Sequence, residues 1–385
     1  MRDLENRVHD EGLDFLQVGE SDHPKGSLPE SLTALGRLKG VSALRFTIRA
    51  VAKTTEMMLR DLPAAVKKAQ VSMLLVDQME PAGGTVAEYL GLPFVTVCNA
   101  LALNREPDIP PPFTPWSYRS AWWARMRNGM GYAFSDRLTR PITRIVEDYR
   151  KDWNLPPHRS PEDSFSPLAQ ISQQPPLFDF PRRQLPGNFH YAGPLRKKSP
   201  RSIPFPWDRL DGRPLIYASL GTLQNSRLNV FRCFAEACAG IDAQLVITHG
   251  GGLDSAEAAT LPGNPVVVAY APQLDLLSRA RLTLTHAGLN TVIDSLTHGV
   301  PLIAIPITYE QPAIAERVRY TGTGEVISLS GLNPRRLREA LLRLLAPHAR
   351  CRENARRVGE SIRQAGGVIR VADVITERAL SSSER

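Results

Sequence analysis

The densest set of side chains able to do chemistry lies in "LTLTHAGLNTVIDSLTHGVPLIAIPITYEQP", residues 282–312. An apolar run from Leu282 to Thr285 stops at His286, passes Ala287 and Gly288, and gives way to polar residues at helical spacing. A strand, turn and helix of this kind delivers His286 to the carboxyl edge of a sheet. Gly288 removes a Cβ where a ligand approaches the backbone. Asn290 and Thr291 fall in the first helical turn, whose free N–H groups and dipole favour a phosphate. Asp294 follows Asn290 by four residues, on the same helix face, and suits ribose hydroxyls just beyond the phosphates. Gly299 and Pro301 end the helix in the ordinary way. Upstream, Tyr270 in "YAPQLDLL" stands at a strand end where its ring can stack on a flat base. Downstream, Glu310 and Gln311 in "TYEQP" form a loop pair suited to sugar hydroxyls. Taken singly these are a strand-capping histidine, helix-capping residues and a core tyrosine. Their order along the chain fits a nucleotide sugar.

The elements that must position them read as alternating strands and helices. "VSMLLVD" is a buried strand, "GGTVAEYLG" a helix closed by Gly91, and "LPFVTVCNA" the next strand, a βαβ unit with a parallel sheet. The alternation pauses at Gly193 to Pro214, where Pro, Lys and Arg exclude regular structure, and this stretch is expected to link two domains. It resumes with the strand "LIYASLG", the helix "LNVFRCFAEACAG", and the strands "AQLVITHG", "PVVVAYAP", "LTLTH" and "PLIAIPI". Both halves, residues 1–194 and 195–385, are therefore expected to be doubly wound α/β domains with ligands beyond the carboxyl ends of strands.

With those residues in place, Tyr270 to Gln311 resembles the donor-binding signature of the UDP-glycosyltransferase family. "YASLGT" (Tyr217 to Thr222) resembles that family's first strand and loop of the donor half, and "AGGVIRVADVI" its closing helices. "DQMEPAGGTVAEYLGLPFVTVCNALALNREPDIPPPF" is similar to a bacterial branch that includes zeaxanthin glucosyltransferases and macrolide-type glycosyltransferases. The resemblance implies the two-domain GT-B fold, an acceptor half followed by a donor half, and inverting hexose transfer from a UDP-sugar such as UDP-glucose. It implies no metal and no cofactor beyond the co-substrate. Position by position, it implies that Tyr270 stacks on the base and that Gln273 lies near the ribose. His286, Gly288, Asn290 and Thr291, helped by Thr222, would hold the diphosphate. Asp294 would bind ribose hydroxyls, and Glu310 with Gln311 the sugar.

The chemistry also needs a base to take the acceptor's proton, and a histidine held by a carboxylate suits this near neutral pH. Asp77 resembles the family's orienting acid, although an aspartate at a strand end is often only a turn residue. The resemblance places the base histidine on a first strand and helix ahead of the segment that begins near Arg7, and His9 and His23 lie in the wrong context to replace it. The N-terminal sheet is accordingly expected to lack a central member, and a catalytically silent nucleotide-sugar-binding protein stands as the alternative to an active transferase.

Composition limits the rest. The net charge of +8 is concentrated between Phe113 and Lys151, where eight Arg and Lys side chains face only Asp136, Glu147 and Asp148. Trp116, Trp122 and Trp123 lie among them, which suits either peripheral contact with lipid headgroups or a solvated helix whose tryptophans plug the core. No nucleic-acid-binding pattern accompanies the charge. "CNALALNREPDIPPPFTPW" is apolar and Pro-rich and hints at a lipophilic acceptor, with a carotenoid implied by the resemblance alone. Cys98, Cys233, Cys238 and Cys351 match no zinc or CxxC spacing and are expected to be thiols in a cytoplasmic protein. No run reaches membrane-spanning length, and the charged "MRDLENRVHDEG" is unlike a signal peptide.

Overall fold

The computed structural model describes residues 2–38, 40–196, 203–222 and 227–383. Helices α1 (Glu5–Asp10), α2 (Ser27–Arg37) and the long α3 (Gly40–Ala69) lead into strand β1 (Leu74–Asp77). The expected βαβ unit follows, with α4 (Gly83–Leu90) ending at Gly91 in the left-handed conformation (φ 65°) before β2 (Phe94–Cys98). Next come α5 (Trp122–Asp152), β3 (Gln170–Ser172) and β4 (Phe189–Tyr191). These strands form one parallel sheet in the order β1-β2-β3-β4, so β1 is an edge strand. β1 begins three residues later than its sequence suggests, because pairing starts where the Leu74 N–H donates to the Pro93 carbonyl.

The second half contains β5 (Leu215–Ser219), α6 (Leu228–Cys238), β6 (Gln244–Thr248), α7 (Ser255–Ala259), β7 (Val266–Val268), α8 (Gln273–Arg279) and β8 (Ala280–Thr285). It continues with α9 (Leu289–Thr297), β9 (Leu302–Ala304), α10 (Gln311–Thr321), β10 (Gly324–Val326), α11 (Pro334–Leu345), α12 (Arg350–Gln364) and α13 (Gly367–Ser383). Its six strands are all parallel, in the order β10-β9-β8-β5-β6-β7. β5, buried at every position, is flanked by β6 and β8, so the winding direction reverses at its side. Ligands bind at the carboxyl ends of strands at such a reversal. The residues that follow β5 and β8, Gly221 with Thr222 and His286 with Gly288, meet there.

The two halves share side chains. Leu101 and Phe178 from the first half are buried in one cluster with Ile293, Leu296, Ile314 and Val318 of the second. In the other direction, α13 returns to the first sheet, where Val374 packs with Val95, Ala169, Ile171 and Ala192. The Gly193–Pro214 stretch departs from the expected irregular linker. Trp207–Arg209 forms a 3-10 turn, and Phe205, Trp207 and Leu210 lie against the β5–β7 core. Residues 197–202 of this stretch lie outside the described residues.

All four cysteines are free. Burial pushes the thiols of Cys98 and Cys238 up to about 12 and that of Cys233 to about 11, which leaves them protonated. Among the described residues no helix is long and apolar enough to cross a membrane.

Candidate functional site

A cavity of about 480 Å³ opens at the carboxyl ends of β5 and β8. The sequence-derived candidates Thr222, Tyr270, Gln273, His286, Gly288, Asn290, Thr291, Glu310 and Gln311 all line it. Asp294 and Asp77 do not.

The turn between β8 and α9 is built around the His286 ring. A Cβ on Gly288 would lie 2.6 Å from His286 Nε2, and one on Gly221 would lie 2.8 Å from Cε1. Both glycines are therefore required for the imidazole to lie between the two loops. The left-handed residue of the turn is Ala287 (φ 66°), fully buried, while Gly288 has φ −65° at the N-cap of α9. The space that Gly288 leaves is thus filled first by the imidazole. Burial pushes the ring's pKa down to about 4, with the Ser219 main chain acting the other way. His286 Nδ1 is buried without a hydrogen-bond partner of good geometry. At neutral pH the ring is uncharged and offers a single N–H donor. No side chain caps α9, and its first residues, Leu289, Asn290 and Thr291, face the cavity. Unpaired N–H groups at a helix start are ready donors for an anion.

Tyr270 stands at the rim, 55% exposed, with its hydroxyl donating to the Gly250 carbonyl at 3.2 Å. The ring is held at its far end while its face stays open to a base. At the other side, Gln311 Oε1 accepts the N–H groups of Ile307 (2.8 Å) and Thr308 (2.9 Å), which fixes the loop after β9. Only the Gln311 amide nitrogen is left for a ligand. Glu310 is the N-cap residue of α10 beside it.

Asp294 is 2% exposed and already engaged. Its Oδ2 accepts from Arg196 Nη1 and from Gln273 Nε2, both at 2.5 Å, and Gln273 Oε1 in turn accepts the Tyr217 hydroxyl at 3.0 Å. Burial raises the Asp294 pKa, and Arg196 and Gln273 oppose it. Direct contact with a ribose thus needs Oδ1 or the departure of one donor, whereas Gln273 reaches the cavity itself.

Asp77 ends β1 on the other half. Its Oδ1 accepts the Met79 N–H at 2.8 Å and its Oδ2 accepts Asn99 Nδ2 at 2.9 Å. No histidine touches it among the described residues: His9 Nδ1 lies 3.2 Å from the Leu13 carbonyl and His23 Nε2 lies 3.2 Å from Thr54 Oγ1. Asn99 lines the cavity and so connects Asp77 to it. Gln173, buried just past β3, donates from Nε2 to the Asn99 carbonyl and to Asn290 Oδ1, tying the acid's neighbour to the start of α9.

Sequence reasoning missed Asn99, Gln173, Arg196, Tyr217, Ser219, Thr248 and Tyr309. Asn99 had a signal, being the first residue beyond the largely apolar β2, whereas the strand before Gln173 is Gln170–Ser172 and offers none. Arg196 had none, being 98 residues from its partner Asp294.

Residues 40–360 match the family model described as UDP-glucoronosyl and UDP-glucosyl transferase. The chain is 37% identical over 378 residues to the zeaxanthin glucosyltransferase of Pantoea ananas, covering 97% of this chain and 87% of that protein. It is 38% identical over 346 residues to the zeaxanthin glucosyltransferase of Pseudescherichia vulneris, covering 88% and 81%. The crystal structure of CalG4, the calicheamicin glycosyltransferase, matches with a TM-score of 0.73 at 22% identity, over 97% of this chain and 88% of that one, a likeness of fold. The two parallel sheets are thus the two Rossmann-like domains of the GT-B fold, as the resemblance implied. With its family model spanning both sheets, the chain belongs to the UDP-glucuronosyl and UDP-glucosyl transferase family and is a glycosyltransferase.

Proposed function

We propose that the protein moves a hexose, glucose in the first instance, from a UDP-sugar to a hydroxyl of a lipophilic acceptor such as a carotenoid diol, with inversion at the anomeric carbon. One observation carries the donor assignment: a single cavity runs from the open face of Tyr270, past the uncapped start of α9, to Glu310 and Gln311. Base, diphosphate and sugar would lie along it in that order. Tyr270 would stack on the uracil, and Gln273, backed by Asp294, would take the ribose. His286, Asn290, Thr291, Thr222 and the backbone at Gly288 would hold the diphosphate, and Glu310 with Gln311 the hexose. The acceptor oxygen attacks the anomeric carbon as the bond to the diphosphate breaks. UDP leaves, and the acceptor's proton passes to a general base beside Asp77, a position that no histidine occupies among the described residues.

The acceptor class rests on the names of the two zeaxanthin glucosyltransferases and on the apolar stretch after β2, where Leu101, Ala102 and Ile109 are buried. In this reading residues 1–194 supply the acceptor half and residues 195–385 the donor half, with α13 packed back on the former. The protein works without metal or further cofactor, in the cytoplasm, with peripheral membrane contact through the segment that carries Trp116, Trp122 and Trp123.

The test is incubation of the purified chain with radiolabelled UDP-glucose and detergent-dispersed zeaxanthin, with the glycoside's anomeric configuration read by NMR. A β-glucoside from the α-linked donor is the expected product. UDP binding with no glycoside would overturn the transfer reading, and unchanged UDP affinity in His286→Ala would overturn the donor site.

A further inference from the structure

Helix α5 exposes a two-part face. Trp122, Trp123, Met126, Met130 and Phe134 are between 48% and 73% exposed. At about 100° per residue, Trp122, Met126 and Met130 fall within a quarter of the helix circumference, with Trp123 and Phe134 at its margin. The stripe is about 18 Å long at about 1.5 Å per residue. Arg137, Arg140 and Arg144 continue the same face and are exposed. Among the described residues these three form no ion pair or hydrogen bond. The nearby acids are turned elsewhere: Asp136 pairs with Arg105 and Glu147 with His158, leaving Asp148 at the far end of the row. Trp122 and Trp123 do not plug a core. Trp116 is the packed one, sitting against Gly131, where a Cβ would come within 2.7 Å of its ring, with Arg127 4.8 Å over its face.

We propose that this face of α5 docks the protein on an anionic lipid surface, with the apolar stripe lying in the headgroup and acyl boundary and the three arginines on lipid phosphates. The inference rests on the lipophilic-acceptor reading, and it adds the surface, its orientation and the charge of the lipid. Charge complementarity selects the occupant. A water-exposed apolar stripe alone suits many partners, but one that runs into a row of unpaired arginines suits negatively charged headgroups. The helix then lies in the plane of the surface. The β2-to-α5 segment packs on its other side, where Asn128 donates to the Pro107 carbonyl and the Tyr132 hydroxyl to the Ile109 carbonyl.

The test is flotation of the full chain with phosphatidylcholine vesicles, with and without phosphatidylglycerol, at low and high salt. Co-flotation is expected only with the anionic vesicles and is weakened by salt. Arg137→Gln/Arg140→Gln/Arg144→Gln should lower the partition coefficient by about 100-fold, at roughly fivefold for each charge. Trp122→Ser/Met130→Ser should also lower it, while both variants keep wild-type UDP affinity as a sign of folding. Absence of flotation with anionic vesicles overturns the proposal, as does flotation that neither variant changes. A dimer in light scattering that Trp122→Ser/Met130→Ser dissolves also overturns it, since a second copy then covers the face. Failure here leaves glycoside formation from detergent-dispersed acceptor untouched. Flotation without glycoside formation would instead sink the acceptor reading alone.

Discussion

His286 makes acid stability a direct probe of the site. Its imidazole is wedged between the backbones of Gly221 and Gly288, and burial lowers its pKa from the usual 6.5 to about 4. Above pH 6.5 the ring is neutral in both the folded and the unfolded chain and contributes nothing to the pH dependence. As pH falls below 6.5 the unfolded chain binds a proton here and the folded chain does not, until about pH 4. The folded state therefore loses stability across that window, by about 3 kcal/mol at roughly 1.4 kcal/mol for each tenfold change in proton affinity. His286→Gln removes this contribution. Whatever the substitution costs at pH 7, the variant's stability should then fall by about 3 kcal/mol less than the wild type's between pH 7 and pH 4. Urea unfolding followed by tryptophan fluorescence across that range measures the difference, and carboxylates that titrate in both proteins cancel. An NMR titration of the His286 ring gives the same quantity independently. Parallel stability curves, or a ring that titrates near pH 6.5, would refute the buried-neutral assignment. A diphosphate bound beside the ring should also favour its protonated form, so UDP binding is expected to take up protons as pH drops toward 4.

Gly221→Ala forces a left-handed backbone (φ 71°) on an L-residue and drives its Cβ into the same ring. The backbone alone should cost about 1–2 kcal/mol, and calorimetry should find UDP binding at least tenfold weaker, whereas unchanged binding would mean the ring's position is irrelevant. Asp179 is nearly fully buried between Arg317 (2.9 Å) and Arg182 (2.9 Å), joining α10 to the first half. Burial alone would raise its pKa, but the two arginines outweigh this and hold it below the usual carboxylate range. Its stabilisation is present at neutral pH and is lost as acid protonates it. Asp179→Asn should cost about 3–5 kcal/mol at pH 7 by leaving buried guanidinium charge unpaired, and a melting temperature equal to wild type would contradict that. Gln173→Leu cuts the link between Asn290 and Asn99 without touching Tyr270 or His286. Its kcat should fall roughly tenfold through misplacement of the two halves, with UDP affinity nearly unchanged, and a loss of UDP affinity instead would show that Gln173 acts on the donor.

Much of this arrangement is legible in the sequence because parallel strands buried on both faces appear as unbroken apolar runs. "LIYAS" comes near such a run, "LTLT" alternates leucine with threonines that are buried all the same, and the polar residues just past them mark the carboxyl edge of the sheet. Gly288 announces a tight turn, yet the strained residue is Ala287, whose methyl group gives no sign of a left-handed backbone. Asp294 appears as a free acid one helical turn from Asn290. Its engagement by Arg196 depends on where residue 196 meets α9, which no local pattern encodes. The same holds for Gln173 and for Asp179 with Arg317, 138 residues apart. Short-range spacing fixes which residues share a face, whereas pairs between halves depend on tertiary packing that only the folded chain supplies. Trp122 and Trp123 were readable either as core plugs or as surface residues, and their exposure decides for the surface.

The return of α13 to the first sheet sets an order of events during synthesis. Val374, at 1% exposure, packs with Val95, Ala169, Ile171 and Ala192, and the Gly367 N–H donates to the Ala192 carbonyl at 2.6 Å. The first half emerges from the ribosome long before these residues exist, so one apolar face of its sheet stays uncovered while the intervening residues are made. Chains usually fold domain by domain from the N-terminus. Here one face of the first sheet takes its cover from α13, so a nascent chain that stalls before Val374 leaves Val95, Ala169, Ile171 and Ala192 open to chaperones and to aggregation.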